Sequence, residues 1–105
     1  MSVALARTAD AFKEPTDNYQ LNTEQNNDST QVIPYGNRCI SVYSRDKDHR
    51  WNVNAASGSS THYIKQDERL NIKLPFNSGN DIYFAARVNG TGTGTIEITA
   101  YKEDS

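Results

Sequence analysis

Residues 81–101 read Asp-Ile-Tyr-Phe-Ala-Ala-Arg-Val-Asn-Gly-Thr-Gly-Thr-Gly-Thr-Ile-Glu-Ile-Thr-Ala-Tyr, and this stretch decides the fold class. Ile82, Phe84, Ala86 and Val88 recur at every second position. Ile96, Ile98 and Ala100 do the same beyond a Gly/Thr-rich segment. A period of two places such residues on one face of a strand. Two such runs around a glycine-rich turn predict a β-hairpin, with the glycines supplying positive φ for the turn or a bulge. The run Gly90–Gly94 has no lysine and no helical pattern after it, so it does not read as a phosphate loop.

The same alternation recurs upstream. Over residues 38–44, Ile40 and Val42 oppose Cys39, Ser41 and Tyr43. Over 49–55, Trp51 and Val53 point inward, and a short strand follows at 61–65. Over 69–74, Leu70, Ile72 and Leu74 oppose Asn71 and Lys73, and Pro75 stops the run. Short strands between compact turns predict an all-β chain, an antiparallel β-sandwich of jelly-roll type. That domain is expected to span 32–105.

Residues 1–31 read differently. Residues 13–31 carry only Tyr19 and Leu21 as large apolar side chains before Val32, and 16–30 are rich in Asn, Asp, Gln and Thr. Such a segment buries too little apolar surface to offset its ordering entropy. Val3, Leu5, Ala6, Ala9 and Phe12 form a short amphipathic helical stripe that Pro15 interrupts. Two readings stand for 1–31: a floppy tail, or an extended arm laying Leu5, Phe12, Tyr19 and Leu21 into grooves of a partner.

With 105 residues the chain is one domain at most. Hydrophobic residues make up 35% and the mean hydropathy is −0.80, so the core must come mainly from 32–101. A net charge of −2 offers no basic field for a phosphate backbone, and no nucleic-acid partner is expected. The single cysteine, Cys39, forbids an internal disulfide and fits a reducing compartment. No run approaches the ~20 apolar residues of a membrane span, and the first residues lack a signal peptide's basic leader and apolar stretch. The sequons at Asn27 and Asn89 are therefore read as chance matches.

Reaction chemistry finds no foothold. Cys39 sits in a strand with no motif around it and reads as an ordinary half-buried thiol. His49 follows the charged turn Arg45–Asp48 and reads as a solvated loop residue; His62 reads as an exposed strand position. These three lack metal-site spacing. Asp46 and Asp48 lack the glycine and terminal glutamate of a calcium loop. No matched acid–base pair is identifiable, so no enzymatic activity, metal or cofactor is expected. The tyrosines are the stronger lead. Tyr43, Tyr63, Tyr83 and Tyr101 fall on or near the faces opposite the apolar rows, where they stabilise the sheet by cross-strand pairing or contact a sugar or a protein, with Tyr43, Tyr63 and Tyr83 the candidates for a binding surface.

The stretch Val88–Tyr101 resembles the closing hairpin of small virion proteins from tailed bacteriophages. In that group an aromatic-rich strand, here Ile82–Arg87, is followed by a Gly/Thr turn and a strand such as Thr95-Ile-Glu-Ile-Thr99. Capsid decoration (cement) proteins of this kind combine a jelly-roll-like body with an N-terminal arm. The resemblance implies a non-enzymatic protein on the capsid surface of the virion, made in the host cytoplasm. Its partners would be the major capsid protein and neighbouring copies of itself, including a homo-oligomer, with no membrane involved. A carbohydrate- or receptor-binding β-sandwich of tail-fibre or lectin type is the alternative, together with a neck, tail or baseplate component.

Overall fold

In the computed structural model, residues 15–58, 60–75 and 79–102 are described. They form eight strands: β1 (Pro15–Glu24), β2 (Ser29–Ile33), β3 (Cys39–Ser44), β4 (His49–Val53), β5 (His62–Ile64), β6 (Arg69–Lys73), β7 (Ile82–Val88) and β8 (Thr93–Tyr101). Sheet A has the order β1-β8-β3-β6 and sheet B the order β2-β7-β4-β5. Every pairing is antiparallel. The first strand pairs with the last, the second with the seventh, the third with the sixth and the fourth with the fifth. This nesting is the wrap of a jelly roll.

One inward row per strand builds the core. Sheet A contributes Leu21, Ile40, Val42, Ile96, Ile98 and Ala100. Sheet B answers with Ile33, Ile64, Ile82, Phe84 and Ala86. Phe84 is the largest side chain with no exposure. Trp51 and Val53 pack against this core half-buried, as their alternation predicts. Trp51 stacks on Phe84 at 5.9 Å between ring centroids and on His62 at 4.6 Å.

Two readings of the sequence are corrected here. Residues 15–31 are not an arm: they form β1, which pairs with β8 over its whole length, and most of β2. In β1 the positions that face the core are Tyr19, Leu21 and Thr23, while Asn18, Gln20, Asn22 and Glu24 face water. An edge strand with one solvated face needs only one row of inward side chains. Its polar composition belongs to its outer face. Leu21 is therefore buried in the core, out of reach of a partner's groove, and Tyr19 packs half-buried against it. Leu5 and Phe12, with the expected helical stripe, lie outside the described residues.

The second correction concerns residues 82–101. The two alternating runs do not form a hairpin, because β7 lies in sheet B and β8 in sheet A. The segment between them carries the chain across the sandwich, with Gly90 and Gly92 at φ 146° and 95° making the reversal. Each run is a strand with one buried row; their partners are β2 and β4 for β7, and β1 and β3 for β8.

Leu21→Ala is expected to destabilise the protein by about 2–4 kcal/mol in urea titration, as loss of a buried leucine does. An arm residue would show no change.

Candidate binding faces and a buried histidine

The outer face of sheet A is a set of cross-strand rows. The register aligns Asn18, Thr99, Ser41 and Asn71 in one row and Gln20, Glu97, Tyr43 and Arg69 in the next. Tyr101 and Cys39 lie side by side on the far side of the first row. Thr99 Oγ1 donates to Asn18 Oδ1 at 2.9 Å, and Arg69 donates to Ser41 Oγ at 3.0 Å. The Tyr43 hydroxyl donates to Asp67 at 3.0 Å, and the Arg69 guanidinium lies 5.1 Å from its ring centroid. The bond to the Asp67 carboxylate, with burial second, raises the phenol's pKa. Arg45 and Glu97 form an exposed ion pair at 3.3 Å. One row across the face, Asn18, Thr99, Ser41 and Asn71, holds no charged residue, and a tyrosine stands in the row on either side of it.

Sheet B presents a different outer face. A loop between β4 and β5 lies over it and is latched there. Asp28 accepts hydrogen bonds from the Ser57 amide at 2.9 Å, from the Ser57 hydroxyl, and from Arg87 Nε at 2.8 Å. Burial works to raise the Asp28 pKa, but the two Ser57 bonds and the Arg87 charge outweigh it, so the carboxyl titrates below its usual range. Arg50 donates to the Gly58 carbonyl at 2.6 Å and to Asn89 Oδ1 at 3.1 Å. A side-chain carbon at Gly58 would come within 3.0 Å of the Arg87 guanidinium, so a larger residue there requires that guanidinium to shift by a few tenths of an ångström.

The tyrosines singled out from the sequence divide between these faces. Tyr43 is on sheet A; Tyr63 and Tyr83 are on sheet B, 51% and 37% exposed. Tyr63 and Tyr83 stand two strands and four residues apart in register, which is roughly 17 Å by strand geometry. The three do not make one aromatic platform.

His49 is the residue the sequence reading misplaced. It is fully buried, not solvated. Its position two residues before Trp51 and four before Val53 puts it in the inward row of β4, a signal already present in the alternation. The ring bridges the two sheets at one end of the core. Thr23 Oγ1 lies 2.7 Å from Nε2, and Ser44 Oγ lies 2.8 Å from Nδ1. The Ser44 hydroxyl donates its single proton to the Lys47 carbonyl. It must therefore accept from Nδ1–H, which leaves Nε2 to accept from the Thr23 hydroxyl. Every polar atom of the neutral ring is satisfied, with no proton to spare. Gly94 belongs to the same arrangement: a side-chain carbon there would approach Nε2 and Lys47 Cγ to 3.1 Å. His62, by contrast, is exposed on β5 as expected.

Among the described residues, no group of three or more His, Cys, Asp or Glu side chains is placed to hold a metal ion. A surface groove of about 350 Å³ runs over Gly94 between Asn22, Glu24, Ser29 and Asp46. No family model matches the sequence, and no curated protein or solved structure shows significant similarity to it.

Burial lowers the His49 pKa from its ordinary value, against weaker opposing contributions from the Lys47 carbonyl, Asp48 and Asp46. The fold thus favours the neutral ring. Its stabilisation is complete above the unfolded pKa of about 6.5 and is lost as pH falls from there through the lowered folded value. The melting temperature is expected to fall between pH 7 and 5 in the native protein and to stay flat across that window in His49→Gln. The Asp28 latch adds its own loss only at more acid pH. Gly94→Val is expected to cost about 1–3 kcal/mol at pH 7 through overpacking against His49.

Proposed function

We propose that the chain is a non-enzymatic virion structural protein of the decoration (cement) type, which binds across major capsid subunits and stabilises the shell. The observation that supports this reading is the outer face of sheet A. Its central row, Asn18, Thr99, Ser41 and Asn71, carries no charge. Tyr43 and Tyr101 flank that row; Glu97 and Arg69 share the row of Tyr43, Lys73 shares that of Tyr101, and Arg45 pairs with Glu97. Protein-binding faces have this anatomy, with charges depleted at the centre, aromatics enriched and a polar rim. Cross-strand hydrogen bonds hold the row in place, so little side-chain entropy is lost on docking. Repeated over a symmetric shell, modest contacts of this kind sum to high avidity.

The test is co-sedimentation with tailed-phage capsids, with bound copies counted by quantitative mass spectrometry. Saturable binding at a copy number that matches the shell's symmetry is expected. Asn71→Arg combined with Thr99→Arg is expected to reduce binding at least ten-fold while leaving the melting curve close to native, since both side chains face outward. Absence of shell binding overturns the proposal. Binding at a few copies per particle points instead to a neck, tail or baseplate component, and binding on a glycan array to a carbohydrate-binding module.

A further inference from the structure

We propose that Asn89 is a self-modifying site: its side-chain amide is lost to ring closure by the Gly90 nitrogen, and Arg50 captures the carboxylate that results. The captured charge ties the loop between β4 and β5 more firmly over sheet B. Asn89 is the one asparagine of the chain that is followed by glycine. A glycine has no side chain to hinder the approach of its own nitrogen to the preceding amide. A side-chain carbon at Gly90 would meet nothing within 4 Å, so the surroundings leave room for the ring to close. The Asn89 backbone amide donates to the Asp48 carbonyl at 2.9 Å, and Arg50 Nη2 donates to Asn89 Oδ1 at 3.1 Å. The bond from Arg50 draws electron density from Cγ and stands ready for the negative charge that forms on Oδ1 during attack.

The chemistry balances with water as the co-reactant, and nothing is oxidised or reduced. The Gly90 nitrogen forms a bond to Asn89 Cγ, the Cγ–Nδ2 bond breaks, and ammonia leaves with the proton that the Gly90 nitrogen gives up. Water then adds at Cγ of the succinimide, and the ring opens to a carboxylic acid that is ionised at neutral pH. The state of Arg50 favours this product. Its Nη1 donates to the Gly58 carbonyl at 2.6 Å and its Nη2 to Asn89, but Nε is buried and has no acceptor among the described residues. An unpaired buried N–H is costly. Nε–H and one N–H of Nη2 point the same way, forming the edge that a carboxylate meets with both its oxygens. Asparagine offers that edge one acceptor; its other terminal atom is a donor and cannot serve Nε. A carboxylate at this position supplies the second acceptor, while Nη1 keeps its hold on the loop at Gly58.

This inference stands without the capsid reading, which rests on the opposite sheet. The test begins with the full-length protein held in mildly alkaline buffer at body temperature and followed by peptide mapping with mass spectrometry. Asn89 is expected to show the amide-to-acid mass change before any other asparagine. A chain that leaves Asn89 intact, or converts another asparagine first, overturns the site. Capture by Arg50 is read from Asn89→Asp, which carries the product from the start. Its melting temperature at pH 7 is expected to exceed the native value by roughly 2–5 °C. In an Arg50→Lys background, which keeps the charge and removes the fork, Asn89→Asp is expected to give no such rise. No rise in the native background, or an equal rise with lysine at position 50, overturns the capture. Neither result bears on whether the protein sediments with capsids.

Discussion

Each described strand of this protein owns a single inward row, and the two sheets pack against each other through those rows. From this constraint the rest of the structure follows. A strand needs two or three apolar side chains at alternate positions, and everything between them is free to be polar. That is how a chain of only 35% hydrophobic residues builds a sandwich of eight strands. It also explains why both outer faces are free to specialise, one with an uncharged polar row between two tyrosines and the other as a platform with a loop latched over it.

Where the inward row turns polar, the core does not open. Thr23, His49 and Ser44 close one end of the interlayer by passing hydrogen bonds from sheet A to sheet B and back. A buried polar group is tolerated when all its bonding capacity is used, and the neutral imidazole achieves that with two hydroxyls. The arrangement depends on Gly94, whose missing side chain leaves the room that the imidazole and the Lys47 stem occupy. Glycine in that strand is thus a packing requirement of the histidine, distinct from the conformational role of Gly90 and Gly92.

Much of the fold was legible because alternation is local. The strands at 39–44, 69–73 and 82–88 and the inward setting of Trp51 and Val53 all follow from period two. β1 was hidden because its inward row holds one fully apolar residue, Leu21, between an aromatic and a threonine. Alternation also cannot say which sheet a strand joins, so the runs of β7 and β8 looked like neighbours when they face each other across the core. His49 carried the right parity, but its histidine identity and the charged turn before it pointed to solvent. The Asp28–Ser57–Arg87 latch was out of reach altogether: its members are separated by 29 and 59 positions, and only the completed wrap brings them together.

The nested pairing has a consequence for how the protein comes into being. β8 lies between β1 and β3 in sheet A, so two early strands are held together by the last of the eight. Only β4 and β5 pair with a sequence neighbour. During synthesis, β1 leaves the ribosome with its inward Leu21 and has no partner until residues 93–101 emerge. Until then an uncharged run from Asn18 to Thr23 presents two open edges. Contacts this distant in sequence form slowly, because loop closure comes before any gain from pairing. β1 therefore stays without its partner strand for as long as residues 25–92 take to be made, and its open edges must be kept from other chains for that interval.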